Sequence, residues 1–497
     1  MNITTRERLA WLLACVMLAG LALRLNGSFA ARDDDYNFVR TLIDVHRQVS
    51  RNYVDAVDED KLRQGAIDGM LAQLDPYTNY IPPAKAEAFN QQMGGQIKGI
   101  GVELQADDDG NIKVVIPIDG SPAQKAGVLA GDVIVRVNGQ DVKGQKIDEV
   151  RERILKGPPD VALRVRRDGQ EIDLPPMTRA KIDVPSVRGF RRMPDGRWDW
   201  YLSRDQKVAY VRVSQFTSQT PIDLTNALNP LVADGMRGLV LDLRFNPGGL
   251  LPEAAQVCDL FLKEGVIVST RGRNQPEQVY RAEADGTLPD FPMVVLVNED
   301  SASASEIVAG ALQDNKRATV VGERSFGKGS VQTIVDLGPR QGELKITVAH
   351  YYLPSGRLVH KKEGATEWGV EPTIKVPMTT DQKRRMAQAM AEGYSTLNKP
   401  VTRAATRPTA NGTTLPTTAP SATTNPSAPT TGPAATATTT PTVETLADLD
   451  PQLDAALKEI ASKLASASAA PPTQPATAPA VVKPPPPAEP GTKPVTK

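Results

Sequence analysis

Four short apolar runs between residues 208 and 322 alternate with segments of helical spacing, and this alternation narrows the possible folds more than any other feature. The runs are Val208–Val213, Gly238–Arg244, Met293–Val297 and Thr319–Gly322. Strands that are apolar at nearly every position are typical of parallel sheets covered on both faces. Between these runs, the spacing of the apolar residues predicts helices over Leu224–Met236, Glu253–Leu262 and Ala304–Asp314. Residues 181–378 are therefore predicted to form an α/β core whose ligands bind at the C-terminal ends of the strands.

The C-terminal part of the chain has the opposite composition. Of the 41 prolines, 19 lie in residues 400–497, and that stretch contains no aromatic residue. It cannot bury enough apolar surface to offset chain entropy, so we predict a mostly disordered Pro/Thr/Ala-rich tail. Residues 443–464 differ, because leucines and one isoleucine recur there at helical spacing. They predict a short amphipathic helix, either nascent in a linker or docked on a folded domain.

The overall composition excludes several classes of protein. A chain of 497 residues is too long for one hydrophobic core, so several domains are expected. Basic and acidic residues balance at 58 each, and no charge excess points to nucleic acid or to an anionic membrane. Two cysteines and three histidines exclude a disulfide scaffold and a zinc site of several Cys and His ligands.

Residues 1–30 have the pattern of a secretory signal peptide. Two arginines precede an uncharged apolar run over residues 9–23, and Ser28–Ala30 offers small residues for cleavage. The run is shorter than the roughly 20 residues that a membrane span needs. An uncleaved helical anchor and lipid attachment at Cys15 are the alternatives. We therefore predict a location in the cell envelope, periplasmic or membrane-anchored, with the remaining domains outside the cytoplasm.

Residues 35–93 predict an N-terminal helical region. Four apolar residues share one face at three- and four-residue spacing: Phe38, Leu42, Val45 and Val49. A second helix is expected to begin at the acids Asp58–Asp60, which suit a helix N-terminus, and to stop at Asp75–Pro76.

Residues 95–180 change to short strands, tight turns and two helices. Gly120–Val128 predicts a short helix ended by glycine, and Asp132–Gly139 predicts a strand that runs into an Asn-Gly turn. This series of motifs resembles a PDZ domain. Such domains bind a C-terminal carboxylate through backbone N–H groups of a glycine-rich loop, and pair the peptide with a strand edge. In this sequence the loop would consist of Gly99, Ile100, Gly101 and Val102.

Three unusual turns follow strands of the α/β core, where a site is expected. Asn246–Gly249 ends in two glycines, whose backbone N–H groups can approach an oxygen closely. Ser301–Glu306 lies at the N-terminus of a predicted helix, where the helix dipole favours developing negative charge. Ser325–Gln332 follows the Thr319–Gly322 strand and contains Lys328 between two glycines.

A serine nucleophile in the second turn would need a base. His350, on a predicted strand, is the only histidine expected to approach the core. Lys328 is the other candidate, in a segment that is otherwise short of charge. Lowering a lysine pKa from about 10.4 to near 7 costs roughly 4–5 kcal/mol, usually through desolvation. Gln332, four residues further on, could hold the amine without adding a charge.

Together these motifs resemble the carboxyl-terminal processing proteases, serine peptidases with a Ser–Lys dyad and a PDZ domain. The resemblance covers residues 35 to about 378. The family's nucleophile precedes its lysine by 25 residues, and this spacing selects Ser303 as the partner of Lys328. Its supporting glutamine falls on Gln332. Ser301 and Ser305 are expected to serve the helix start rather than catalysis.

The resemblance also implies the oxyanion donors and the class of substrate. One donor would be the N–H of Ala304 and the other that of Gly248 or Gly249, with Gly248 slightly favoured. The implied reaction is hydrolysis of protein substrates near their C-terminus, without metal or organic cofactor, on a core of crotonase-like fold. The segment Lys361–Glu367 departs from the family pattern, and we expect it to alter the substrate rim without touching the dyad. A homodimer through residues 35–93 is implied by analogy alone.

Two other functions are compatible with parts of the sequence. A PDZ scaffold in the envelope, carried on an inactive protease fold, is disfavoured by the intact set of Ser303, Lys328 and Gln332. An acyl-CoA enzyme of the crotonase-like superfamily is disfavoured by the PDZ-like segment and by the export signal.

Overall fold

The computed structural model describes residues 11–15, 17, 39–107, 110–193, 197–338, 340–391, 400–401, 442–443 and 445–468. The predicted cleavage site at Ser28–Ala30 and most of the predicted disordered tail lie outside these residues. Within them, no helix is both long and apolar enough to span a membrane. The chain divides into two compact units, Met1–Ile81 with Leu344–Ile346, and Pro82–Glu343 with Thr347–Lys497.

The first unit contains two helices and a short strand. They are α1 (residues 39–52), α2 (Glu59–Leu71) and β1 (Asn79–Ile81). The predicted start of α2 is confirmed, because the Asp58 carboxylate accepts the N–H groups of Asp60 and Lys61, both at 3.1 Å. The predicted end is wrong, since α2 stops at Leu71. Residues 35–93 are also not helical throughout, because β1 interrupts them.

The second unit begins with α3 and the PDZ-like segment. Its elements are α3 (Pro83–Met93), β2 (Gln96–Gly99), β3 (Val102–Ala106), β4 (Ile112–Pro117), α4 (Pro122–Lys125), β5 (Val133–Val137), β6 (Gln140–Asp141), α5 (Ile147–Lys156), β7 (Asp160–Val161), β8 (Leu163–Arg167), β9 (Gln170–Asp173), β10 (Met177–Thr178) and β11 (Ala180–Asp183). The main sheet has the order β3-β4-β5-β8-β9, so β3 is an edge strand. Strand β9 was not predicted, because only Ile172 in it is apolar.

The PDZ-like segment has a core of its own. Ile134, Val137, Val150 and Val165 are buried in one cluster that joins the sheet to α5. Strands β2 and β11 pair antiparallel, so the chain enters and leaves the segment at one place. The PDZ-like β-rich domain predicted from the sequence is confirmed.

The α/β core follows. Its elements are β12 (Val187–Arg188), β13 (Arg191–Arg192), β14 (Trp198–Asp199), β15 (Tyr201–Ser203), β16 (Val208–Val213), α6 (Thr220–Ala233), β17 (Gly238–Asp242), α7 (Leu251–Asp259), β18 (Val266–Gly272), β19 (Gln278–Arg281), β20 (Met293–Val297), α8 (Ala304–Asp314), β21 (Thr319–Gly322), β22 (Ser330–Asp336), β23 (Glu343–Tyr352), β24 (Ile374–Lys375), α9 (Thr380–Ala391), β25 (Pro400–Val401), β26 (Thr442–Val443), α10 (Leu446–Leu449) and α11 (Pro451–Ser468).

The central sheet has the order β12-β16-β17-β20-β21-β24, and its strands from β16 to β24 run parallel. Alternate side chains point to opposite faces. In β17, Leu239 and Leu241 pack with α6, α7 and α8, whereas Val240 packs with α9, α10 and α11. The predicted α/β core with a sheet buried on both faces is confirmed.

The tail helix α11 is part of this core. Four side chains of α10 and α11 are buried against the sheet: Leu449, Leu453, Ala456 and Ile460. At its edge, Thr319 donates a hydrogen bond of 3.0 Å to Glu459. Of the two alternatives left by the sequence, the structure therefore shows the docked one. The prediction of a single helix over residues 443–464 is wrong, because the chain forms α10 and then α11, which extends to Ser468.

We expect Leu453→Ala to destabilise the core, because it leaves a cavity under α11. A buried Leu→Ala change costs about 2–5 kcal/mol, which in a domain of this size lowers Tm by roughly 4–20 °C. Calorimetry of the full chain measures this. Lys458→Ala, on the exposed face of the same helix, is the matched control and should shift Tm by less than about 2 °C. Equal Tm values for the two variants would contradict docking of α11.

Candidate active site

The turn between β20 and α8 holds Ser303 in an unusual backbone conformation. Its φ is 55° and its ψ is −114°, a region that non-glycine residues rarely adopt and that costs about 1–3 kcal/mol. Such strain persists only where neighbouring contacts impose it. Ser301 and Ser305 supply some of them: their buried hydroxyls donate to the carbonyls of Leu243 and Asn246, both at 2.9 Å. The prediction that these two serines are structural agrees with these bonds.

The loop between β21 and β22 carries Lys328 between two glycines that are enclosed by other chain segments. A Cβ on Gly327 would lie 2.7 Å from Trp368, and one on Gly329 would lie 2.6 Å from the backbone nitrogen of His360. Lys361 N–H also donates to the Gly327 carbonyl at 2.8 Å. Lys361, the first residue of the Lys361–Glu367 connection, therefore contacts the residue next to Lys328. The expectation that this connection leaves the dyad itself untouched stays a prediction. This segment closes directly on the lysine loop.

The carboxylate of Glu306 joins the serine turn to the lysine loop. One oxygen, Oε2, accepts the backbone N–H groups of Ser303 and of Lys328, both at 2.8 Å. The other, Oε1, accepts the Ser325 hydroxyl at 2.6 Å and the Gly327 N–H at 2.7 Å. The side chain is fully buried. Burial raises the pKa of Glu306 above its ordinary value, and these four hydrogen bonds oppose that shift without cancelling it.

Tyr351, on β23, makes a second connection between the same two backbones. Its hydroxyl lies 2.7 Å from the carbonyl of Lys328 and 3.1 Å from that of Ser303. The ring is buried, and desolvation raises the pKa of Tyr351 well above its ordinary value. The hydroxyl therefore stays protonated and remains a donor. Sequence reasoning missed both Glu306 and Tyr351, although the motifs that identified the dyad contain or adjoin them.

The two glycines of the Asn246–Gly249 turn have different surroundings. A Cβ on Gly248 would lie 2.8 Å from Cβ of Ser303, so this residue approaches the serine most closely. Its N–H, however, donates to Oδ1 of Asn246 at 2.8 Å. Gly249 packs on the Phe216 carbonyl, where a Cβ would lie at 2.1 Å. Gly248 therefore lies beside Ser303, and its N–H already donates to an acceptor.

Gln332 lies on β22, beyond the lysine loop. Its Nε2 donates to Ser330 Oγ at 2.9 Å and to Thr347 Oγ1 at 3.1 Å. Both hydrogens of the Gln332 amide are thus donated to hydroxyl groups, and the amide oxygen can accept a hydrogen bond. This orientation is the one that a partner for a lysine amine requires.

Both histidines of the C-terminal half lie beside the lysine loop. The ring of His350 contacts the Gly329 carbonyl, and Nδ1 of His360 accepts the Gly329 N–H, each at 3.3 Å. The two ring centroids are 5.1 Å apart. The expectation that only His350 would approach the core is therefore wrong, because His360 lies equally close. Both rings bind the backbone next to Lys328.

The predicted PDZ loop is buried at its centre. Ile100 is buried, and its carbonyl accepts the Ala123 N–H at 2.8 Å. Gly101 is required, because its φ is 81° and a Cβ there would lie 2.3 Å from Cβ of Ser121. Gly99 ends β2, and Val102 begins the edge strand β3. Among the described residues, no cluster of three or more His, Cys, Asp or Glu side chains could hold a metal ion.

Comparison with known proteins identifies the family of the chain. A family model described as peptidase family S41 matches residues 207–376, one described as a PDZ domain matches residues 114–167, and one described as the activating protease CtpB N-terminal domain matches residues 28–83. A carboxy-terminal-processing protease of Bartonella bacilliformis is 42% identical over 348 residues, which cover 68% of this chain and 75% of that protein. The chain belongs to peptidase family S41, among the carboxy-terminal processing serine proteases.

Two further proteins are similar to about two thirds or more of the chain. The carboxy-terminal processing protease CtpA of Bacillus subtilis is 34% identical over 377 residues, covering 74% of this chain and 76% of that protein. A solved structure titled photosystem II D1 C-terminal processing protease is 31% identical and covers 67% of this chain and 86% of that one, with a TM-score of 0.38.

We expect Glu306→Gln to lower kcat by at least about 100-fold. The glutamine amide has only one acceptor oxygen, so its NH₂ group would take the place of Oε1 or Oε2 and would face the N–H groups that now donate to that oxygen. These donors would lose their acceptor, and the serine turn would separate from the lysine loop. Cleavage of an unfolded protein substrate measures the change. Glu253→Gln is the matched control, because Glu253 is also buried with a raised pKa but no hydrogen bond joins it to either loop in the described structure. Similar activity in both variants would contradict the role of Glu306.

The raised pKa of Glu306 also predicts how stability depends on pH. A carboxyl whose pKa is higher in the folded than in the unfolded chain stabilises the fold at low pH. That contribution is lost as pH rises from the ordinary value of 4.5 through the folded pKa. We therefore expect the Tm of Glu306→Gln, relative to wild type, to increase between pH 4 and pH 8. A difference that decreases over this range would mean that the hydrogen bonds outweigh burial.

Proposed function

We propose that this S41 peptidase cleaves protein substrates near their C-terminus, with Ser303 as nucleophile and Lys328 as general base. The observation that carries the proposal is the double contact of Glu306 Oε2 with the backbone N–H groups of both residues, at 2.8 Å each. One buried atom thereby holds the backbones of the two residues close together, which supports their assignment as nucleophile and base. Fixed geometry of this kind is what converts a weak nucleophile and an adjacent base into a catalytic pair.

In the proposed reaction, neutral Lys328 takes the proton of the Ser303 hydroxyl as the serine attacks the scissile carbonyl. The N–H of Ala304 and that of Gly248 or Gly249 stabilise the oxyanion, a contribution of about 3–4 kcal/mol for each donor. If Gly248 is the donor, its N–H must turn away from Asn246 when substrate binds. Lysine then protonates the leaving amine, and water hydrolyses the acyl-enzyme.

The amide oxygen of Gln332 is the proposed partner of the Lys328 amine. Its two amide hydrogens are occupied by Ser330 and Thr347, which supports this orientation. A neutral acceptor holds the amine in place without adding the negative charge that would raise its pKa. His350 has no role in the proposed reaction.

The PDZ domain is proposed to capture the substrate C-terminus. The loop Gly99–Val102 would bind the carboxylate, and the edge strand β3 would pair with the peptide. The position of β3 at the sheet edge supports this. In the structure, Arg151 of α5 donates to the Leu104 carbonyl of β3 at 3.3 Å, so an incoming peptide would compete with this contact.

The proposed location is the cell envelope, outside the cytoplasm. The arginines and the apolar run over residues 9–23 support export. Residues 1–30 would serve either as a cleaved signal peptide or as a retained membrane anchor. The chain is also proposed to form a homodimer through residues 35–93.

The test is cleavage of an unfolded protein with an apolar C-terminus by residues 31–497, which retain α11. We expect Ser303→Ala and Lys328→Ala to lose activity by at least about 10⁴-fold, as for other catalytic groups that act as a unit. His350→Ala should retain activity within a few-fold.

Equal cleavage by all four proteins would reject the dyad. A substrate with an amidated C-terminus separates the two parts of the proposal. Weaker binding with kcat retained supports capture of the carboxylate, whereas an unchanged KM rejects capture and leaves the dyad intact.

A further inference from the structure

A buried arginine connects the tail helix α11 to the strand that leads into the active site. Arg244 follows β17, and its guanidinium lies between Asp242 and Asp450 with all three side chains fully buried. Nη1 and Nη2 lie 2.8 Å from Oδ1 and Oδ2 of Asp450. Nε and Nη2 lie 3.0 and 2.6 Å from Oδ1 and Oδ2 of Asp242. A buried guanidinium depends on such paired acceptors, because loss of one partner leaves an uncompensated charge.

The N-terminal turn of α11 is built around this arginine. Oδ1 of Asp450 also accepts the Leu453 N–H at 2.9 Å, so the same carboxylate caps the helix. Gln452 accepts from Nη1 of Arg244 at 3.2 Å and donates to the Val376 carbonyl at 2.9 Å. The docked helix thus presents Asp450 to Arg244 in one fixed orientation.

On its other side, Arg244 is the first residue of the turn that reaches the nucleophile. Phe245 follows with a φ of 59°, and its N–H donates to Asn298 Oδ1 at 2.9 Å. The Asn246 carbonyl then accepts the Ala302 N–H at 3.0 Å and the Ser305 hydroxyl at 2.9 Å. A displacement of Arg244 therefore moves a turn that is bonded directly to both sides of Ser303.

We infer that Asp450 is a positioning residue for peptide hydrolysis. By fixing Arg244 it holds the turn Phe245–Gly249, and with it the oxyanion donor of that turn, in register with Ser303. The helix beyond the Pro/Thr/Ala-rich segment thereby becomes a part of the active enzyme. The inference rests on the proposed function, because it assigns the oxyanion donors to this turn.

Asp450→Asn in the chain that extends to residue 497 tests the inference. The amide keeps an acceptor for the Leu453 N–H but removes the charge and turns an NH₂ group toward Arg244. We expect kcat to fall at least tenfold while KM changes less than threefold, because the donors act on an oxyanion that exists only in the transition state. Asp450→Glu restores the charge and should recover part of the lost kcat.

The matched control is Asp454→Asn, the same substitution one turn further along α11. Asp454 pairs with Lys458 at 2.7 Å, on the outer side of the helix. Its kcat should stay within twofold of wild type. A folded Asp450→Asn variant with wild-type kcat would overturn the inference, since a purely structural role lowers Tm and leaves kcat of the folded protein unchanged.

If the Asp450→Asn variant does not fold at the assay temperature, the Gln452→Leu variant tests the inference in its place. It removes the amide acceptor beside Asp450 on Nη1 of Arg244 and leaves both carboxylates, so kcat should fall about threefold at constant KM. Wild-type kcat would overturn the inference. Ser303→Ala is assayed in parallel. Residual cleavage by that variant rejects the proposed function itself, whereas an inactive Ser303→Ala beside a fully active Asp450→Asn rejects only the role of Asp450.

Discussion

Strands β16, β17, β20 and β21 carry apolar side chains on both faces, and this sheet therefore needs cover on both sides. Helices α6 to α8 follow the strands directly and cover one face, as βα connections do. The other face is covered by α9, α10 and α11, which come after the last strand of the sheet. The active-site turns lie at the C-terminal ends of these same strands. Their positions are consequently fixed by the packing of helices from distant parts of the chain.

Two costly features meet at the proposed dyad. Ser303 has a strained backbone, and Glu306 is a carboxylate buried away from water. Each would relax in isolation, the serine to an ordinary turn and the glutamate to solvent. Together they are compatible, because the strained turn directs the Ser303 N–H toward the carboxylate, and the lysine loop supplies the other three donors that the buried group needs. One of these donors is the Lys328 N–H, so the same carboxylate also holds the Lys328 backbone in place.

The sequence predicts those parts of the fold that depend on local pattern. Strands β16, β20 and β21 and helix α8 begin and end where predicted, since unbroken apolar runs and a serine-rich helix start are local signals. The spacing between Ser303 and Lys328 selected the dyad only through the family resemblance. Glu306 could not be recognised in advance, because a glutamate in the first turn of a helix is ordinarily a capping residue.

Contacts between distant segments escaped prediction for a related reason. Asp450 lies inside the amphipathic helix predicted over residues 443–464, and no periodicity shows that its partner is Arg244. The closure of the Lys361–Glu367 connection on the lysine loop is likewise made largely by backbone groups and glycines, which carry no side-chain signal.

The chain is synthesised from its N-terminus, so α11 is made after the strands of the central sheet that it covers. Until residue 468 has emerged, one apolar face of the central sheet has no helix from the tail to cover it. Nascent chains are thus most exposed to aggregation on that face until α11 has been synthesised.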